Sequence, residues 1–170
     1  LENFPLKMGD VNSTLNMIKS LGKSININDN TITIKERSSL KFNLDFYTEE
    51  INFTPLILAA LLIRNKVSSV PLPGGCNIGN RKLDIYRYIF QKFGATFIQK
   101  GVGIFSELKK KLLPSKISLP IATTGGTIAA LILASSIDGK SQIINPHLRP
   151  EIIEIINILN KMGAQIKISN

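Results

Sequence analysis

The one cysteine of this 170-residue chain, Cys76, stands in the run Pro71-Leu72-Pro73-Gly74-Gly75-Cys76-Asn77-Ile78-Gly79-Asn80-Arg81. Glycines and prolines at this density bar regular structure, so the run reads as a loop with unusual backbone angles. It leaves a short apolar run, Val70 to Leu72, and enters an amphipathic helical pattern near Lys82. A thiol beside a cation or a helix N-terminus is a candidate acid or nucleophile, and Arg81 follows five residues on. The bland alternative is a glycine turn that carries a small hydrophobe, which is what most cysteines are.

A second segment, Ala122-Thr123-Thr124-Gly125-Gly126-Thr127, opens a helical pattern after the strand-like stretch Lys116 to Leu119. Hydroxyls and glycine amides at a helix start form a natural phosphate cradle. The same residues also make an ordinary N-cap. His147 is the only histidine, and it has no cysteine or carboxylate companions at ligand spacing. No metal site is expected, and a structural role is its default. Glu151 reads as a first-turn residue at a helix N-terminus.

The elements that position these residues form a repeat. A helix is expected from Asp10 to Leu21, with Val11, Leu15, Ile18 and Leu21 on one face, Asp10 as N-cap and Gly22 just past its end. Ser24 to Asn28, the turn Asp29-Asn30 and Thr31 to Lys35 read as a hairpin. The helix-then-glycine phrase returns at Leu83 to Phe93 with Gly94-Ala95, and at Ile152 to Met162 with Gly163-Ala164. Strands follow at Thr96 to Gln99 and Gln165 to Ser169. The closing glycines Gly22, Gly94 and Gly163 recur with a period of about seventy residues, the signature of a repeated supersecondary unit. Two further helices, Thr54 to Ile63 and Thr127 to Ile137, are almost wholly apolar and lead to strands Ser69 to Leu72 and Ser141 to Ile144. Such helices are expected to be enclosed on most faces.

Composition bounds the rest. The chain is 44% hydrophobic with a mean hydropathy of +0.14, which fits one globular domain with a sizeable core. Its longest apolar runs, such as Ile128 to Ala134, are far shorter than a membrane span. A single cysteine excludes an internal disulfide and suits a reducing, cytoplasmic setting, and no leader pattern opens the chain. The net charge of +9 invites a nucleic-acid reading, but aromatics are 6% and do not alternate with the basic residues. A basic surface that attracts anionic small molecules is the better reading.

The loop Pro71 to Arg81, followed by Leu83-Asp84, resembles the active-site loop of the UDP-N-acetylglucosamine 1-carboxyvinyltransferases of the enolpyruvyl transferase family. Leu1 to Pro5, and Ile143 to Lys167 with Pro150-Glu151-Ile152 and Asn160 to Ala164, extend the likeness across essentially the whole chain. The resemblance implies an α/β (α+β) fold of repeated βαβαββ units forming an inside-out α/β barrel domain, with helices inside and sheets outside. It implies repeat units of approximately 1–47, 48–114 and 115–170, a single domain that opens partway through a unit, and a second such domain in cis or as another chain.

For function it implies enolpyruvyl transfer from phosphoenolpyruvate to the 3-hydroxyl of UDP-N-acetylglucosamine, a step of peptidoglycan precursor synthesis. Cys76 is then the general acid, the thiol that attaches to phosphoenolpyruvate and the target of fosfomycin. Arg81 contacts phosphoenolpyruvate, with a salt bridge to Asp84 as its structural alternative. Lys82, Leu83, Asp84 and Ile85 line the uridine pocket, largely through backbone. Thr123, Thr124 and Gly125 hold the diphosphate. No metal and no cofactor are implied, since phosphoenolpyruvate is a co-substrate, and neither nucleic acid nor membrane is an expected partner. The chain departs from the family pattern at Asn52, where an arginine is usual, at Ile121, where some members have a basic residue, and at Leu148-Arg149, where Arg-Glu is usual. These departures keep open a second reading, a divergent or truncated non-catalytic homologue that binds a nucleotide sugar or a partner subunit. The chain by itself is expected to be inactive.

Overall fold

The computed structural model of the chain describes residues 1–36, 40–44, 51–74 and 83–169. Its first helix, α1 (Gly9–Ser20), leads into the antiparallel hairpin β1 (Ser24–Asn28) and β2 (Thr31–Lys35). The turn places Asp29 at φ 49°, a conformation that aspartate tolerates better than most residues. Leu1 and Ile32 exchange both backbone hydrogen bonds, at 2.9 and 2.8 Å, so the first residues of the chain run along β2. Asp10 is not the N-cap expected of it. Met8 takes that position in extended conformation without a side-chain cap, and Asp10 falls inside the first turn. There its carboxylate still complements the helix dipole.

The next group consists of α2 (Thr54–Leu62), β3 (Val67–Pro71), α3 (Asp84–Lys92), β4 (Ile98–Lys100) and β5 (Gly103–Glu107). β5 lies between β3 and β4 and is antiparallel to both, with Val70 opposite Ile104. Pro55 is tolerated in α2 because the first-turn N–H has no helical partner to lose. None of the nine residues of α2 is exposed, as its all-apolar sequence requires. β6 (Lys116–Ser118), α4 (Thr124–Ser135) and β7 (Gln142–Ile144) follow, the two strands parallel across the helix that joins them. The parallel bridge of Asn43 to Ser69 repeats that arrangement around α2. No residue of α4 is exposed either.

The last helix, α5 (Pro150–Lys161), lays Ile152 and Ile156 on Leu131 of α4. Residues 165–169, expected as a strand, join no ladder among the described residues. Instead the Asn160 side chain brackets Ile166, accepting from its N–H at 2.8 Å and donating to its carbonyl at 3.0 Å. One amide side chain thus supplies the donor and acceptor that a neighbouring strand would offer.

Among the described residues three small sheets therefore lie around a helical interior, the layering expected of an inside-out barrel. The main core joins Met17 of α1, Leu58 and Leu62 of α2, Ile89 and Phe90 of α3, Phe93, Ile104, Ile117 and Leu133. Phe90 meets Phe97 edge to face with ring centroids 5.1 Å apart.

The three glycine closures share one geometry. Gly22, Gly94 and Gly163 have φ of 92°, 87° and 106°, and each donates to the carbonyl three residues back, that of Lys19, Gln91 and Asn160. The following residues, Lys23, Ala95 and Ala164, donate to Ile18, Phe90 and Leu159. These paired bonds are the Schellman motif, in which a left-handed residue lets the chain reverse while satisfying the last carbonyls. Glycine is the residue that takes this conformation without a Cβ penalty.

Candidate functional site

α4 begins where the segment from β6 meets the segment from β7. Leu119 donates to the carbonyl of Ile144 at 3.0 Å, and the Asn145 side chain donates to the carbonyl of Leu119 at 2.9 Å. Asn145 itself sits at φ 58°. Thr123 is the N-cap in extended conformation, and its hydroxyl accepts from the Gly126 N–H at 3.1 Å. The Thr127 hydroxyl donates to the carbonyl of Thr123 at 2.8 Å and accepts from the His147 N–H at 3.0 Å. The imidazole Nδ1 of His147 then meets the Thr124 hydroxyl at 3.0 Å. Three threonines and one histidine so bind the first turn of α4 to the β7–α5 connection.

The start of α3 lies against this turn. Ile85 Cδ1 would stand 3.2 Å from a Cβ placed on Gly126, and the Tyr86 hydroxyl occupies the space that a Cβ on Gly125 would need. The two glycines serve first of all to let α3 and α4 approach. Leu83, the N-cap of α3, is in the core, and Ile85 packs against the core from a half-buried position. Asp84 is exposed and faces Arg87 at 3.8 Å, an i,i+3 contact worth little at such exposure. The side chains of Leu83 and Ile85 thus serve the interior, and a ligand here would meet the backbone of that segment.

Cys76, Arg81 and Lys82 lie outside the described residues. The residues that flank them are well placed. Gly74 donates to the carbonyl of Ile51 at 3.1 Å, just before α2, and Leu83 opens α3. Both flanks of the cysteine segment are therefore fastened at helix starts.

Electrostatics favours the same end of the molecule. The C-terminal ends of α2 and α4 line one open cavity of about 410 Å³, with Leu62 to Lys66, Leu108 and Ser136 to Asp138 among its walls. The two helices therefore run the same way, and their starts lie together at the opposite end. Neither has an acidic residue in its first turn, so no side chain of the helices themselves offsets the positive ends of the two dipoles. The buried Thr54 hydroxyl in the first turn of α2 has no hydrogen-bond partner among the described residues. At the other end Arg64, Lys66, Lys110 and Lys111 line the cavity, where cations offset the negative helix ends. That cavity lies at the end away from the helix starts, and its charge has this structural explanation.

The sequence-expected residues Leu83, Asp84, Ile85, Thr123, Thr124 and Gly125 are brought together by the α3–α4 contact. Ile121 and Leu148 are exposed, at 68% and 51%. Asn52 is exposed as well. Sequence reasoning left His147 and Tyr86 out of the site. A lone histidine after a proline carries no spacing signal, and the glycine pair pointed to phosphate rather than to a tyrosine from another helix. Among the described residues no group of three potential metal ligands occurs, and no helix is long and apolar enough to cross a membrane.

Comparison with known proteins gives this end of the molecule its context. The chain is 34% identical over 167 residues to the UDP-N-acetylglucosamine 1-carboxyvinyltransferase of Buchnera aphidicola subsp. Baizongia pistaciae, covering 98% of this chain and 40% of that protein. It is 36% identical over 163 residues to the protein of the same name from Elusimicrobium minutum, covering 95% and 38%. The chain thus spans about two-fifths of the length of these relatives. In fold it is similar to the enolpyruvyl transferase NikO from Streptomyces tendae, with a TM-score of 0.76 at 17% identity over 99% of this chain and 40% of that one. An EPSP synthase from Acinetobacter baumannii follows at a TM-score of 0.69 and 17% identity, over 96% and 38%. The model of the family described as EPSP synthase (3-phosphoshikimate 1-carboxyvinyltransferase) matches residues 2–170, and the chain belongs to that family.

Proposed function

We propose that this chain is the cysteine-bearing part of an enolpyruvyl transferase that moves the enolpyruvyl group of phosphoenolpyruvate to the 3-hydroxyl of UDP-N-acetylglucosamine. The observation that carries this reading is the contact between the starts of α3 and α4. It sets the start of α3, which follows the Cys76 segment in sequence, beside the threonine-rich first turn of a helix with no acidic residue. An anion is favoured there by the helix dipole and by N–H groups of Thr124 and Gly125 that have no carbonyl within α4.

In this reading the diphosphate rests on Thr123, Thr124 and Gly125, and the uridine lies along the backbone of Lys82 to Ile85. Arg81 holds a phosphate or carboxylate of phosphoenolpyruvate, for which a planar guanidinium is suited. Cys76 delivers a proton to the phosphoenolpyruvate methylene, the sugar hydroxyl gives up its proton as its oxygen bonds to the adjacent carbon, and the adduct then loses phosphate together with one methyl proton, which restores the methylene. No metal or cofactor enters these steps. The chain is one domain built of units near 1–47, 48–114 and 115–170, acts with a second domain of the same kind, and is inactive without it. It works in the cytoplasm, in peptidoglycan precursor synthesis.

Treatment with fosfomycin, followed by intact-mass and peptide mass spectrometry, tests this reading. A single adduct at Cys76, enhanced by UDP-N-acetylglucosamine and absent from Cys76→Ser, is the expected result. Adducts scattered over other residues, or labelling indifferent to the nucleotide, would overturn it. The exposed apolar side chains of Ile121 and Leu148 near the start of α4 favour the second reading, a non-catalytic homologue that keeps the nucleotide-sugar site. That reading expects nucleotide binding with no labelling at Cys76.

A further inference from the structure

The Thr124 hydroxyl is the group at the start of α4 whose hydrogen-bond polarity is set by another side chain. Its partner is the Nδ1 atom of His147, 3.0 Å away. A hydroxyl has one proton to donate and lone pairs with which to accept. When Nδ1 is bare, Thr124 must donate its proton to the imidazole and turns lone pairs outward, toward any bound anion. When Nδ1 carries a proton, the imidazole donates to Thr124, and the hydroxyl proton is released to point at a phosphate oxygen. Protonation adds a positive charge beside the same anion, which strengthens each of these bonds.

The rest of the cluster holds this pair in register. The His147 N–H is anchored on the Thr127 hydroxyl at 3.0 Å, and Thr127 is anchored on the carbonyl of Thr123 at 2.8 Å. Both ends of the imidazole–hydroxyl contact are therefore tied to the same helical turn. Among the described residues few competing charges face it. The connection from Leu119 to Thr123 and the first turn of α4 contain no ionisable side chain. The start of α3 supplies Asp84 and Arg87, which face one another, together with Tyr86. Beyond His147, Arg149 and Glu151 face each other at 3.8 Å, with Glu154 further along α5. Guanidinium and carboxylate groups ordinarily keep their charge near neutral pH, whereas an imidazole changes its own there.

We propose that His147 is the positioning residue of the diphosphate site, and that binding a nucleoside diphosphate sugar at the start of α4 is coupled to proton uptake at this imidazole. The inference rests on the reading that the start of α4 receives such a diphosphate. It deepens that reading by making the site responsive to pH. Up to one proton is drawn from solvent on binding and returned on release, and no bond other than N–H is made or broken at His147. By linkage, a site that binds its ligand better in the protonated form loses affinity as pH rises through the titration. The loss reaches at most about tenfold per pH unit.

The test uses the chain in a Cys76→Ser background, which removes its one thiol from the titration. UDP-N-acetylglucosamine is the probe, because its diphosphate diester carries no proton near neutral pH. Affinity is measured by calorimetry from about pH 6 to pH 8, in two buffers of different ionisation enthalpy so that proton uptake is read directly. The expected result is a weakening of about tenfold over this range, with a fraction of a proton taken up on binding. His147→Gln, whose amide can donate to Thr124 at every pH, should bind with a flat profile and no proton uptake. Thr124→Val should be flat and weaker throughout. Binding that is independent of pH in the parent, or a slope that survives His147→Gln, would overturn the inference while leaving the diphosphate site standing. Absence of binding at every pH would overturn both.

Discussion

Replacing Gly125 by alanine puts the α3–α4 contact to a quantitative test. In isolation, alanine in place of a helical glycine stabilises by up to about 1 kcal/mol. Here the new Cβ would overlap the Tyr86 hydroxyl and stand 3.2 Å from Cζ of the same ring. Relieving that overlap means moving the Tyr86 ring, which belongs to the set packed around the main core. Overpacking of this kind costs about 1–3 kcal/mol, so Gly125→Ala should lose about 1 kcal/mol net. Removing the obstructing oxygen with Tyr86→Phe leaves only the tight 3.2 Å contact with Cζ, which a shift of a few tenths of an ångström relieves. In that background the substitution should become neutral or slightly stabilising, with a coupling of about 1 kcal/mol or more between the two sites. Urea unfolding followed by circular dichroism measures all four corners of the cycle, through midpoints compared at constant slope. If Gly125→Ala stabilises the parent, or costs as much in the Tyr86→Phe background as in the parent, the two helix starts do not approach as described. The proposed diphosphate cradle would then lose its neighbour.

Two further substitutions probe the scaffold. Thr123→Ala removes the acceptor of the Gly126 N–H and should cost about 1 kcal/mol in chemical denaturation, with Thr123→Ser recovering most of it. Phe90→Ala empties a fully buried position against Phe97 and should cost about 3–5 kcal/mol, enough to leave a large unfolded fraction by circular dichroism.

Much of this architecture is legible in the residues because local and global signals agree. The hairpin of β1 and β2 follows from alternation on either side of Asp29-Asn30, and the enclosure of α2 and α4 from their lack of a polar face. The three glycine closures are visible because a left-handed residue after a helix leaves glycine in the sequence at each repeat. Less local features are hidden. Asp10 looks like an N-cap, but the chain enters α1 two residues earlier, where Met8 is extended and Gly9 begins the helix. The stretch 165–169 alternates like a strand, yet alternation specifies a face and not a partner, and here the partner is the Asn160 side chain. At the candidate site the threonines and glycines announce a helix start. The contact of His147 with Thr124 spans 23 residues of sequence and depends on how β7 returns beside β6, which no short pattern encodes.

Helices that are enclosed on every side leave a protein little room to vary. At buried positions such as Leu58 and Leu62 of α2 or Ala130 and Leu133 of α4 a larger or polar side chain meets a neighbour, so these walls resist change. Their tips do not. At the start of α4, Ile121 and the β7–α5 connection with His147 and Leu148 can be exchanged without disturbing a single interior contact of the main core. A fold of this kind separates its fixed and variable text by position along a helix rather than by face. New ligand preferences can then be written on the ends of rods whose middles never alter.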